Sequence, residues 1–157
     1  VTPSATEPRI VEAWLVLAAG VGSGLVGGFY LAFSLVVMPA LRRRPAGEAA
    51  SAMVAVNQAA VGAPFLVLFF GTALACLAVV GAGVSEPGAL VRVLGGLASL
   101  AGWALTMAVN VPLNTRLART DHRTAAWSVY ARPWTRANHL RAGLSVLGSL
   151  ALLLPVP

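Results

Sequence analysis

Lysine is absent from this 157-residue chain, and all eleven of its basic residues are arginine. Acidic side chains number five, and charged residues of either sign make up only 10% of the sequence. Soluble domains carry about 25% charge, so an ordinary water-exposed fold is excluded. Intrinsic disorder requires high charge and low hydrophobicity, and it is excluded because 58% of the residues are hydrophobic. Cysteine occurs once, as Cys76 inside an apolar run, which rules out an intramolecular disulfide. Histidine occurs only as His122 and His139, and no His, Cys or carboxylate is spaced to complete a metal site. Nucleophile-elbow, P-loop and dinucleotide motifs are also missing. Glu48 and Asp121 are the only acids near the arginine-rich segments, and neither sits in an apolar run, which argues against a paired-carboxylate mechanism.

What is present is long stretches without charge. They cover residues 13–41, 49–85, 93–115 and 142–157. About 20 mainly apolar residues cross the hydrocarbon of a bilayer as a helix. The first three runs suffice outright, and the fourth suffices if its helix starts near Trp134. The expectation is one integral membrane domain, residues 1–157, with helices at about 11–41, 50–83, 90–117 and 133–154. The first run is too long for a cleaved signal segment and has no basic leader, so it is expected to be retained. Nine of the eleven arginines lie in two segments: Arg42–Arg44, and Arg116 to Arg141. The positive-inside rule places both segments in the cytoplasm and both termini outside, in a bacterial cytoplasmic membrane. The basic balance therefore marks topology, and nucleic acid is not expected as a partner.

The fold class expected is all-α: a bundle of four transmembrane helices, with a short interfacial helix between helices 3 and 4. That connecting helix spans residues 120–132, ends at Pro133, and sets Trp127 and Tyr130 at headgroup depth. Residues 46–60 should lead into helix 2, with Pro64 kinking the junction, and residues 85–88 should form the turn before helix 3. Gly20, Gly24 and Gly28 repeat at four-residue spacing on helix 1. Such a stripe serves either a homodimer seam or packing within one bundle, and packing within the bundle is favoured. Met38, Met53 and Met107 read as packing residues.

Polar side chains recur at one depth. Asn57 and Gln58 lie at the inner end of helix 2, Asn110 and Asn114 at that of helix 3, and Asn138, His139 and Arg141 at that of helix 4. Polar groups at such depth are costly and tend to pair or to line a cavity. Asn110 and Asn114 are spaced i,i+4, and Trp134, Asn138 and Arg141 follow i, i+4, i+7, so each set shares a helix face. Spacing alone leaves two readings open: a polar-headed, aromatic-walled pocket, or amides that bond helix to helix.

Beyond the spacing, several strings are familiar. Gly28-Phe29-Tyr30-Leu31-Ala32-Phe33-Ser34, followed by Val37-Met38-Pro39-Ala40-Leu41, resembles the first helix of the anthrone oxygenase-like family of small four-helix membrane proteins. Asn110-Val111-Pro112-Leu113-Asn114 is similar to that family's N-x-P-x-N element. Trp127, Tyr130 and the segment from Trp134 to Arg141 resemble its W-x-x-Y…W-x-x-x-N-x-x-R ending. The resemblance implies oxidation of an anthrone to an anthraquinone by O2, with no organic cofactor. It makes His139 the candidate base, and Asn110, Asn114, Asn138 and Arg141 the candidate donors to a developing oxyanion. Trp134, Tyr130 and Phe33, with Asn57 nearby, would hold a flat polycyclic substrate. The partners implied are the lipid bilayer and an apolar small molecule. The competing expectation is a non-catalytic membrane protein that binds a quinone, a lipid or another small molecule, or serves as a partner subunit.

Overall fold

The computed structural model describes residues 6–83 and 89–154, with side chains from Ile10 onward. Every regular element among the described residues is helical. Helix α1 spans Thr6–Ala32, continues through a π turn at Phe33–Val37, and ends as the short α2, Met38–Leu41. Helices α3, Ala46–Ala60, and α4, Ala63–Ala82, follow. Helix α5, Ala89–Leu105, passes through a second π turn, Thr106–Asn110, into α6, Val111–Arg119. Helix α7 spans Arg123–Leu153. The turn expected at residues 85–88 lies outside the described residues.

Three helical stretches are long and apolar enough to cross a membrane: Ile10–Leu41, Ala63–Ala82 and Ala89–Arg119. They mark the chain as a membrane protein. The 20 residues of α4 rise roughly 30 Å in all, the thickness of the hydrocarbon. Helix α7 carries Arg132, Arg136 and Arg141 through its middle, so its composition alone does not qualify it. It packs along both α1 and α5, and α4 packs on the other sides of α1 and α5, so the four long helices form a closed ring. Helix α3 lies over the Arg-rich end, against α7 and α6.

Both π turns end two residues before a proline, Pro39 and Pro112. A proline has no N–H to give to the carbonyl four residues back. Each helix widens for one turn instead: Met38 N–H bonds to Phe33 O, and Val111 N–H bonds to Thr106 O. The inserted residue rotates the face that follows by roughly 100°. Phe33, Ser34, Thr106 and Asn110 are thereby buried.

Two local expectations need correction. Residues 120–132 do not form a separate interfacial helix, because α7 runs unbroken through Pro133. Pro133 and Val129, whose carbonyl it leaves without a partner, are both on the exposed side of the helix. Trp127 and Tyr130 are consequently in phase with Trp134, and they are buried, not spread at a headgroup surface. They form a core with Met38, Met53 and Leu117 at the Arg-rich end. The second correction concerns helix 2, which is broken, not kinked. Gly62 takes an extended conformation ahead of Pro64, and α3 stops at Ala60.

At the opposite end the helices meet through small residues. A Cβ on Gly95 would lie 2.9 Å from Gly148 O, and one on Gly24 would lie 2.9 Å from Ser149 Oγ. Ser149 Oγ donates to Gly20 O at 2.7 Å. Gly20 and Gly24 thus face α7 of their own chain, and of the glycine triad only Gly28 has open space beside it.

Candidate functional site

The single helix α7 lines up Trp127, Tyr130, Trp134, Asn138 and Arg141 on its buried face. Asn138 is fully buried and joins three elements. Its Nδ2 donates to the Tyr30 carbonyl at 2.8 Å and to Ser34 Oγ at 2.7 Å. Its Oδ1 accepts from Arg141 Nε at 3.0 Å and Nη2 at 2.8 Å. Arg141 Nη1 donates to Thr106 Oγ1 at 3.1 Å. Thr106 gives its own proton to Gly102 O at 2.9 Å, so in its 3.1 Å contact with Tyr30 the phenol is the donor.

Arg141 is 5% exposed. Its guanidinium carbon stands 3.9 Å from the Tyr30 ring centroid and 5.3 Å from that of Trp134. Cation–π contact offsets part of the cost of burying the charge. Among the described residues, the ion pairs are Arg44–Glu48 and Arg92–Glu12, and neither involves Arg141. Three of its N–H groups are bonded, and a guanidinium has five, so two remain. A buried cation with free donors and no carboxylate is an anion-receptive group.

Beside it is a cavity of about 260 Å³. Phe29, Tyr30, Phe33, Phe65, Phe69 and Trp134 form its walls. These rings brace one another, with centroids 4.6 Å apart for Phe29–Phe65 and 5.5 Å apart for Phe33–Trp134. Asn57, Thr106, Asn114 and Arg141 supply its polar groups. Asn57 Nδ2 is buried and has no hydrogen-bond partner. Asn114 Oδ1 accepts from Tyr130 OH and Trp134 Nε1, each at 2.8 Å, which fixes the amide and leaves its NH2 for the cavity.

Of the residues expected from sequence, Arg141, Asn114, Asn57, Trp134 and Phe33 line the cavity. Asn138 and Tyr130 stand behind it: Asn138 positions Arg141, and Tyr130 positions Asn114. Asn110 is buried, donates to Trp134 O at 3.3 Å and leaves its Oδ1 unpaired, but it does not reach the cavity. His139 is exposed on the other side of α7, where Nδ1 meets Ser34 Oγ at 2.9 Å. Its expected role as the base touching substrate has no support in this placement. Tyr30, Thr106 and Ser34 were missed. The signal available for Tyr30 was its place in the Gly28–Ser34 string at the depth of Arg141. Thr106 could be found only by knowing of the π turn.

No group of His, Cys, Asp and Glu able to hold a metal occurs among the described residues. The family model described as Anthrone oxygenase matches residues 52–151. That is 100 of the 157 residues, and it takes in every cavity and network residue from Asn57 to Arg141 but not Tyr30, Phe33 or Ser34. No curated protein and no solved structure matches the chain.

Proposed function

The chain belongs to the anthrone oxygenase family, and from that premise we propose that it oxidises a flat phenolic polycycle of the anthrone type to its quinone with O2, inside a bilayer and without an organic cofactor. Helix α7 serves as the fourth span. Its packing between α1 and α5 carries it across wherever they cross, and burial of Arg141 keeps that charge off the lipid. The arginine-rich segments face the cytoplasm and both termini lie outside, in a bacterial cytoplasmic membrane.

The chemistry asks little of the protein beyond charge and shape. An anthrone CH2 is acidic because loss of its proton gives an oxyanion conjugated across three rings. Arg141, with its two free N–H groups, stabilises that oxyanion, and the amides of Asn57 and Asn114 are further donors. The electron-rich ring then reduces O2, and a C–O bond forms to give a hydroperoxide. Loss of water yields the second carbonyl: one oxygen atom stays in the quinone, and the other leaves with the two hydrogens of the CH2. The proton released to water at the start returns when the peroxide anion is protonated to the hydroperoxide, and the second CH2 proton joins the hydroxide that leaves as the O–O bond breaks. The size of the cavity suits a compact ring system, since at about 260 Å³ it lies below the roughly 300–1,000 Å³ of pockets for drug-sized ligands.

The observation that carries this reading is Arg141: buried, with no carboxylate partner among the described residues, and at the head of an aromatic cavity. The experiment is O2 consumption by the purified protein in detergent with emodin anthrone. Oxidation faster than the spontaneous rate is expected. Protein that binds the anthrone yet leaves its oxidation at the spontaneous rate overturns the reading in favour of a non-catalytic binder.

A further inference from the structure

We propose that the cavity is loaded sideways from the bilayer, through a portal framed by Val61, Phe70, Met107 and Val111, which admits uncharged planar amphiphiles and excludes charged ones. The identity of the substrate rests on the oxygenase reading, but the route does not.

All four framing residues line the cavity, and all four are exposed, at 65%, 43%, 39% and 40% respectively. Val61 and Phe70 come from the α3–α4 break and α4, whereas Met107 and Val111 come from the second π turn and α6. Helix α4 packs on α1 and α5. The π turn and α6 pack on α7 instead, and α6 also on α3. The two walls therefore part just where α5 gives way to its π turn. The Arg-rich end above the cavity is closed by the core of Met38, Met53, Leu117, Trp127 and Trp134, each 7% exposed or less. The small-residue end below it is closed by backbone contact between helices. The side facing hydrocarbon is the one that remains.

Depth fixes what can use it. If α4 spans the hydrocarbon from Ala63, Val61 lies at the headgroup boundary, and Phe70 lies roughly 10 Å inside at 1.5 Å per residue. Flat aromatic molecules with one polar edge concentrate in this zone, as Trp and Tyr side chains do. A molecule entering there leaves lipid for an aromatic wall at little cost and finds Arg141 and the unpaired Asn57 amide only once inside. A sulfonate or carboxylate must first shed its hydration into hydrocarbon. The reaction that supplies the substrate must accordingly release it uncharged, and any charged conjugation must follow oxidation.

The test is the binding kinetics of an uncharged anthraquinone to the full chain in phosphatidylcholine–phosphatidylglycerol liposomes, a readout that needs no turnover. Met107→Trp and Val111→Trp should slow association and dissociation together by roughly tenfold, with Kd nearly unchanged. Leu97→Trp, a substitution on the exposed face of α5 away from the cavity, should change neither rate. Met107→Ala should not slow either one. A disulfonated anthraquinone added to the same liposomes should fail to bind. Unchanged rates in both tryptophan variants, or binding of the disulfonate as fast as its uncharged parent, overturns the portal. Failure of the oxygenase reading shows separately, as absent O2 uptake with these rates still ordered as predicted.

Discussion

Around Gly95 and Gly148 the helices touch backbone to backbone. Around Tyr30 and Trp134 the same ring of helices is held apart by aromatic side chains and encloses a cavity. The two ends solve different problems. Lipid offers no hydrophobic drive for helices to associate, so a bundle is held by close van der Waals packing and interhelical hydrogen bonds. The glycine and serine end supplies both, with Ser149 bonded to Gly20 O and Ser23 Oγ 3.6 Å from Cys76 Sγ. The aromatic end gives up that packing and spends its polar groups on fixing one cation. If the proposed reaction takes place at the aromatic end, stability and function are segregated along the bundle axis, and substitutions at the two ends should produce opposite phenotypes.

The largest effect is expected from Arg141→Met. Its length and apolar character preserve packing but remove the charge, and loss of one such stabilising donor costs about 10²- to 10³-fold in turnover. Anthraquinone binding should fall far less, because the neutral ground state makes less use of the charge. Rates of O2 uptake set beside binding constants measure the difference. A variant that loses binding and turnover equally would show that the aromatic end is a binding site only.

Asn138→Ala should come next. It removes the acceptor that holds two Arg141 N–H groups and leaves the Tyr30 carbonyl and Ser34 without their donor. Breaking buried bonds of this kind costs about 1–3 kcal/mol, roughly a 5- to 150-fold effect. Because Asn138 acts through Arg141, the loss should appear in kcat before KM, and Asn138→Asp should not rescue it cleanly, since it adds a second buried charge.

Gly95→Val reverses the pattern. Its side chain must displace Gly148 O at 2.9 Å and the Ala151 methyl at 3.0 Å. Overpacking of this kind destabilises by about 1–3 kcal/mol. Unfolding in detergent should shift accordingly, while turnover per folded molecule stays near that of the unaltered protein. Loss of turnover in fully folded Gly95→Val protein would break the segregation argument.

The sequence was readable where periodicity and charge speak, and silent where the backbone departs from them. Long apolar runs located α1, α4 and α5–α6, and the i, i+4, i+7 spacing put Trp134, Asn138 and Arg141 on one face. Pro133 misled, because a proline on the exposed side of a long helix need not end it. Pro39 and Pro112 hid more than they announced: each imposes a π turn, and no 3.6-residue pattern predicts which side chains a wider turn brings inward. That is why Ser34 and Thr106, one on each π turn, were not anticipated. His139 looked catalytic from its chemistry alone. Position on the helix keeps it out of the cavity lining, since it follows Asn138 by one residue and so points about 100° away from that residue's face.

His139→Ala should have the smallest effect, and it tests that last point directly. A positioned general base contributes about 10²- to 10⁴-fold. An exposed side chain outside the cavity contributes within about 0.5 kcal/mol, roughly twofold. Among the described residues the imidazole is linked to the site by its 2.9 Å contact with Ser34 Oγ, and Ser34 keeps its bond from Asn138 when that contact is lost. In the proposed reaction, ionisation of the anthrone is favoured instead by the charge of Arg141. The kcat of the His139→Ala variant should therefore match that of the unaltered protein within about twofold, consistent with a surface substitution. A loss of a hundredfold would put a proton path through Ser34 to the far side of α7. It would also extend the functional end of the bundle beyond the cavity.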